Sequence, residues 1–411
     1  DDVMKTQIPA EEFMQLYFKV AKAARAKFPE IKLVGPVPAN EWQWYRWGSS
    51  AISYKGKNYC WLEYFILRIA EEEKASGIKL LDVLDIHFYP GETDAANCVQ
   101  LHRVYFDRNY VYPGANGVKT VNGGWDNSIN KEYILGRCSD WLTKYKGAGH
   151  GITFGVTETD IGSANPNVQA VWYASTMGEF MKNGVEIFTP WSWKPGMWET
   201  LHLFSRYNHK NYVQAISQNE TLVSAYPTIN EAADSMTVVL VNRSQTQTIL
   251  VDLNFSEFHV NPGKSPMYSI SSLGAAETFI SRSNNALKKT QVEASASNIT
   301  VELAPLSVNS ISLTALVMGS ANEMKKNSYS VSVYPNPATD QVNLSFSIPE
   351  KEKLSIELYQ ANGVLLNTIS NKIFDAGDHQ IDLNIVGLAS GIYWIRMISE
   401  TDTKTVKLIK N

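Results

Sequence analysis

Gly151-Ile152-Thr153-Phe154-Gly155-Val156-Thr157-Glu158-Thr159-Asp160 (GITFGVTETD) places the β-formers Ile152, Phe154 and Val156 just ahead of a carboxylate. The spacing predicts a short buried strand with Glu158 where the chain leaves the core. An acid at that point costs stability unless it is solvated, paired or used. From this stretch alone, a strand-end acid in a satisfied hydrogen-bond network and a catalytic carboxylate are equally good readings. The segments around it tip the balance.

Upstream, residues 10–28 (AEEFMQLYFKVAKAARAKF) carry Phe13, Leu16, Tyr17, Val20, Ala24 and Phe28 at helical spacing, and Pro29 stops the helix. IKLVGPV (31–37) reads as a buried strand. It is followed by EWQWYRW (41–47), with Trp42, Trp44 and Trp47 inside six residues. Such a run could fold back on the core, but just past a strand it suits a platform for sugar rings better. A second helix is expected over 59–76, then a buried strand in LLDVLDIHFYP (80–90) with His87 and Tyr89 at its exit. A strand-end His is usually structural; contact with substrate is the minority reading. Residues 91–130 are polar and rich in Gly and Asn, with Trp125 in GGWDN, and a loop that long is uncommon unless functional. A third helix is expected over 131–146 and a fourth over 167–182. VEIFTPWSW (185–193) closes the series as a strand carrying Trp191 and Trp193.

Strands alternating with helices at these lengths indicate a parallel sheet, and every candidate residue falls at a strand's C-terminal end, as a (β/α)8 barrel requires. Four units are present and closure needs eight, so 1–207 reads as the second half of a barrel whose N-terminal half is missing ahead of Asp1. From 208 to 317 the pattern changes to alternating strands such as MTVVLVNRS and TILVDLNF, an antiparallel β-sandwich. A polar linker (318–328) leads to a small Ig-like β-sandwich over 329–411. The expected fold class is therefore α/β plus all-β.

Composition narrows the function. A chain of 411 residues suggests two or three domains, and a net charge of −4 gives no reason to expect nucleic acid or an anionic membrane as partner. The 19% of charged residues is ordinary for a secreted enzyme. No apolar run is long enough for a membrane helix. Three cysteines (Cys60, Cys98, Cys138) with no CxxC pair point neither to a disulfide framework nor to zinc. The 11 Trp and 20 Tyr, with only Trp394 beyond Trp198 among the Trp, suit stacking on sugars in the first half.

The LVGPV strand with its Trp-rich sequel, DIHFYP and GVTETD follow one another in the order and spacing of glycoside hydrolase family 44. Residues 1 to about 315 resemble the C-terminal part of that family, whose members are endoglucanases and xyloglucanases with a (β/α)8 barrel and an appended β-sandwich. The resemblance implies Glu158 as catalytic nucleophile. It further implies His87, Tyr89, Trp191 and Trp193 as substrate-subsite residues, to which the aromatic pattern adds Trp42, Trp44, Trp47 and Trp125. Thr159-Asp160 departs from the family, which usually has Tyr and Asn there. Residues 329–411, with VYPNP (333–337) and SGIYWIRM (390–397), resemble the C-terminal sorting domain of the type IX secretion system of Bacteroidetes. That implies export, with the domain removed or exchanged for a surface anchor.

A retaining glycosidase needs two carboxyl groups roughly 5 Å apart. Arg46, His87 and Trp193 are candidates to keep Glu158 ionised. The family's partner acid sits in an Asn-Glu-Pro segment, absent here and expected upstream of Asp1. Glu41, Glu179 and Glu199 are poorly placed substitutes. The expectation is thus a secreted, monomeric β-1,4-glucanase truncated before its general acid, inactive alone, with no cofactor. Calcium on Asp94, Asp107 or Asp126 is a weak alternative, since acids at that spacing are more often solvated. A mannanase or xylanase of the same clan, and a non-catalytic surface protein that binds carbohydrate, are the competing readings.

Overall fold

The computed structural model describes residues 8–48, 52–111, 113, 118–119, 125–126, 132–295, 298–316, 330–348, 350–361, 363–399 and 403–411. They fall into two compact units, Asp1–Leu316 and Val317–Asn411. The linker expected at 318–328 lies outside the described residues.

The first unit opens with helix α1 (Ala10–Lys27), then strand β1 (Val34–Pro36), α2 (Trp61–Ser76), β2 (Val83–Phe88), α3 (Ile134–Lys146), β3 (Thr153–Thr159), α4 (Pro166–Asn183), β4 (Val185–Phe188) and α5 (Met197–Tyr207). The strands lie side by side in chain order and pair in parallel, with Val34 beside Val83, Val83 beside Thr153 and Phe154 beside Val185. Every residue of β2 is buried, as expected of a parallel strand covered on both faces. Local chemistry sets the helix ends. Glu11 and Glu12 occupy the first turn of α1 and Arg25 and Lys27 its last, matching the helix dipole. Asn165 caps α4 through the amides of Asn167 and Val168, Pro166 takes its first position, and Gly184 ends it at φ 67°.

Three expectations need correction. The buried side chains of α1 are Ala10, Met14, Phe18 and Ala21, while Leu16, Val20 and Phe28 face solvent. The apolar stripe is wide enough for two rotational settings, and the one used lets Phe13 and Tyr17 pack edge-on against Trp61 and Phe65 of α2. Strand β4 stops at Phe188, five residues short of Trp193, and beyond it the backbone amides of Thr189 and Trp191 still bond to the carbonyls of Val156 and Thr159 in β3. Helix α5 was not anticipated, although MWETLHLFSRY is amphipathic.

Beyond α5 the first unit is antiparallel. Strands β5 (Asn211–Tyr212), β6 (Val223–Ile229), β7 (Ser235–Asn242), β8 (Ile249–Asn254), β9 (Gly263–Ile270), β10 (Lys288–Ala294), β11 (Asn298–Leu303) and β12 (Ser307–Thr314) form a six-stranded sheet, β10-β9-β12-β7-β6-β5, and a two-stranded one, β8-β11. One face of the larger sheet, including Tyr226, Val239, Val241, Ile270 and Val308, joins the core that holds α4 and α5. Its other face, including Val238, Leu240, Met267 and Ile311, shares a core with Ile299, Val301 and Leu303 of β11. A Cβ on Gly178 of α4 would come 2.4 Å from the Tyr226 ring, so only glycine lets the sheet approach this closely. Buried Arg243 fixes the junction, donating to Ser175 Oγ of α4 at 3.1 Å and to Ser224 Oγ at 2.8 Å.

The second unit has two antiparallel sheets. Strands β13 (Ser330–Tyr334), β14 (Gln341–Ile348) and β17 (Gly377–Asn384) make one; β15 (Glu352–Gln360), β16 (Leu365–Phe374), β18 (Gly391–Ile398) and β19 (Thr403–Lys410) make the other. Val342, Leu344 and Phe346 share a core with Ile356, Ile395 and Met397. The Pro-Asn-Pro segment has a structural use. Asn336 donates to the Lys407 carbonyl at 2.7 Å and accepts from the Ile409 amide at 2.8 Å, pinning the start of the unit to its final strand.

Candidate active site

Glu158 emerges one residue before the end of β3, and a register shift between Ile86 and His87 of β2 brings His87 opposite it. Two side chains from the β2 end converge on the same carboxylate oxygen. Tyr89 donates its hydroxyl to Glu158 Oε2 at 2.9 Å, and His87 Nδ1 lies 3.2 Å from that oxygen, off the line of a hydrogen bond. The other face of the imidazole is tied down. Thr157 gives its hydroxyl proton to Asp85 and its backbone amide to Asp85 Oδ1 at 2.9 Å, so its oxygen is left to accept from His87 Nε2 at 3.1 Å. A proton on Nε2 turns Nδ1 toward Glu158, and a protonated ring would set its positive charge against the carboxylate. Gly155 makes room for this chain: a Cβ there would lie 3.0 Å from Asp85 Oδ1.

Burial dominates the electrostatics. It raises Asp85 above the usual carboxylate range against the opposing Thr157 bonds. Burial also raises the Tyr89 phenol, with the Glu158 hydrogen bond second, which keeps it a neutral donor. Glu41 is raised by burial too and accepts the Tyr89 amide at 3.3 Å, so Glu41 and Glu158 are linked through the two ends of one tyrosine.

The aromatic residues divide into exposed and supporting groups. Trp42, Trp191 and Trp193 present 46%, 66% and 37% of their surface. Trp198 was missed in the sequence. It stacks on Trp193 at 4.0 Å, and its place five residues further on, in a helix not foreseen, hid it. Trp44 and Trp47 do not offer open faces as a sugar platform would. Trp44 is fully buried with its indole N–H on the His87 carbonyl at 3.0 Å, and Trp47 packs on Trp61 at 4.4 Å. Trp44 is a support: Trp44→Ala is expected to cost about 3–5 kcal/mol, read as a lowered Tm. The side chain of Trp125 lies outside the described residues. Asp160 is held by Lys194 Nζ at 2.9 Å and by the Ser192 hydroxyl at 2.5 Å, which fastens the Trp191–Trp193 loop beside Glu158.

The remaining acids have other partners. Glu179 accepts from Asn183 at 2.9 Å. Buried Glu199 accepts from the Thr278 hydroxyl at 2.7 Å. Glu132, not singled out by the sequence, accepts the Tyr45 hydroxyl at 2.6 Å and is pushed up to about 7 by burial. Asp94 caps a short helix through the Asn97 amide, and Asp107 pairs with Arg103 at 2.8 Å; the side chain of Asp126 is outside the described residues.

Residues 1–92 match the model of glycoside hydrolase family 44. Residues 332–411 match the secretion system C-terminal sorting domain, which marks the chain for secretion and attachment at the cell surface. A curated relative, beta-mannanase/endoglucanase A of Caldicellulosiruptor saccharolyticus, is 24% identical over 230 residues, 49% of this chain and 17% of the relative. A family 44 xyloglucanase of Paenibacillus polymyxa, solved with xyloglucan, superposes with TM-score 0.62 at 18% identity, over 76% of this chain and 63% of that one. A family 44 endoglucanase of Clostridium thermocellum gives 0.61 at 18% identity, over 74% and 62%. These likenesses establish a family 44 fold. The chain spans under two thirds of the length of these solved structures and about a sixth of the curated relative.

Proposed function

We propose that the protein is a secreted retaining glycoside hydrolase that cleaves β-1,4-glucans of the cellulose or xyloglucan type, with Glu158 as nucleophile. The observation that carries this reading is the convergence of Tyr89 and His87, both inside the family 44 match, on one oxygen of the strand-end carboxylate Glu158. Tyr89 holds one oxygen of the carboxylate, with His87 packed beside it, while the other oxygen is left for attack. That oxygen would form a bond to the anomeric carbon as the glycosidic C–O bond breaks, and a second carboxyl would protonate the leaving oxygen. The same carboxyl, now a base, would take a proton from water as water displaces Glu158.

The second carboxyl is not assigned to Glu179 or Glu199, which are engaged elsewhere, nor to Glu41, which sits against the backbone of Tyr89. In this reading the four β/α units form one half of a (β/α)8 barrel, and the acid comes from strands that complete it. The 411-residue chain alone should then show negligible hydrolysis of carboxymethylcellulose or xyloglucan, and normal turnover would refute the assignment. The sorting domain supports delivery by the type IX secretion machinery.

The relatives named for mannan and xylan activity favour a second reading, with one of those polymers as substrate. Initial rates on glucan, xyloglucan, mannan and xylan separate the two. Trp191, the most exposed of the aromatics beside Glu158, is the subsite to test. Stacking worth about 0.5–1.5 kcal/mol makes Trp191→Ala weaken oligosaccharide binding by about 2- to 10-fold with Tm unchanged. Unchanged affinity would remove Trp191 from the subsite.

A further inference from the structure

The aromatic side chains beside Glu158 do not stop at the rim of the site. Trp193 stacks on Trp198, which opens helix α5, and the inward face of that helix carries Met197, Thr200, Leu203 and Phe204. Trp198, His202 and Arg206 stand four residues apart on its outward face, over about 12 Å of helix. Beside His202 lies Phe279, with ring centroids 5.6 Å apart, and Phe279 belongs to the loop between β9 and β10 of the antiparallel sheet. That loop is fastened to the helices at two points. Asn167 of α4 accepts the Leu273 amide at 2.8 Å and donates to the Leu273 carbonyl at 3.2 Å. Glu199, fully buried, accepts from the Thr278 hydroxyl at 2.7 Å and from the Ala286 amide at 3.4 Å, two residues that bracket Phe279 in the chain. A buried carboxylate needs such partners, and these set Phe279 against His202.

A single exposed ring needs no explanation, but a row drawn from two separate parts of the fold and held by a buried acid does. Its chemistry suits a sugar chain: ring faces take the C–H faces of pyranoses, and polar groups between them take hydroxyls. His202, among the described residues, makes ring contacts but no hydrogen bond. Burial, with Arg206 and Arg282 close by, lowers it below the usual imidazole value. The neutral ring then offers both a donor and an acceptor. We propose that Trp198, His202 and Phe279 form a second binding strip for the β-glucan chain, continuing outside the cleft from Trp191 and Trp193 along α5 to the antiparallel sheet. Continuity with those two residues names the ligand, because a chain that leaves the cleft over Trp193 meets Trp198 next. The inference rests on the reading of the cleft as a glycan site and not on Glu158 as nucleophile.

Binding needs no turnover, so the 411-residue chain itself is tested, by affinity electrophoresis and calorimetry on polymeric xyloglucan and hydroxyethylcellulose and on the short oligosaccharide cellotriose. His202→Ala and Phe279→Ala are each expected to weaken polymer binding about 2- to 10-fold, with cellotriose binding and Tm unchanged. Phe279→Tyr keeps the ring and should bind as the parent does. The proposal is overturned if both alanine variants bind polymer as the parent does, if cellotriose affinity falls as far as polymer affinity, or if the parent chain binds no glucan. Weaker binding that comes with a lowered Tm and is not restored by Phe279→Tyr would mark Phe279 as packing and overturn it too. The role of Glu158 is read separately by Glu158→Gln: unchanged kcat there, together with weaker polymer binding here, would remove the nucleophile and leave the strip standing.

Discussion

Glu158→Gln, made in the polypeptide that carries both carboxyl groups, is expected to lower kcat on glucan by at least about 10⁴-fold with polymer binding retained. A carboxamide cannot attack the anomeric carbon, so the covalent route closes, and 10⁴-fold corresponds to about 5.5 kcal/mol of lost transition-state stabilisation. Glutamine is the informative replacement. It keeps an oxygen where Tyr89 donates at 2.9 Å, so the Tyr89 hydroxyl stays partnered and Tm should hold. A kcat within tenfold of the parent would place the nucleophile elsewhere, and the strand-end carboxylate would then be a structural member of the Tyr89 and His87 network.

The consequence of that network is positional. Asp85, Thr157 and His87 form a line of bonded side chains under Glu158, and Trp44 holds the His87 carbonyl from below. Each member comes from β2, β3 or the loop after β1, so the carboxylate is fixed by the parallel sheet itself. A nucleophile must reach its carbon within a few tenths of an ångström, and rigid strands supply that better than a loop does.

The strand pattern around Glu158 was legible because parallel strands are apolar on both faces and end abruptly in polar residues. Helices α1 to α4 were legible from their period. What sequence could not show was which of two faces of α1 turns inward, since Phe13 and Tyr17 serve either setting and α2 decides. It also could not separate Trp42 from Trp44 and Trp47. Three indoles in six residues look alike until backbone geometry puts one in solvent at 46% exposure and another under His87. Trp198 and Glu132 were missed on different grounds: one lies in a helix that followed an overextended strand, the other is a lone acid before α3 whose meaning comes from Tyr45, 87 residues away.

Glu132 should make stability fall as pH rises. Its carboxyl is buried against the Tyr45 hydroxyl, with Arg137 on α3 and Glu41 nearby, and burial lifts it from 4.5 to about 7 while Tyr45 and Arg137 pull the other way. Between those values the unfolded chain has lost the proton and the folded one still holds it. More protons are then bound in the folded state, so unfolding free energy decreases with pH across this window. The stabilising share is whole below 4.5, is lost by about pH 7, and amounts to about 3 kcal/mol. Glu132→Gln removes the titration while keeping the acceptor for Tyr45 and a donor where the protonated acid has one. From pH 4 to pH 8 the Tm of the first unit's transition should therefore drop by about 5 °C more in the parent than in the variant. Parallel profiles would mean that Glu132 ionises in the folded protein as readily as in water, with Arg137 compensating its burial.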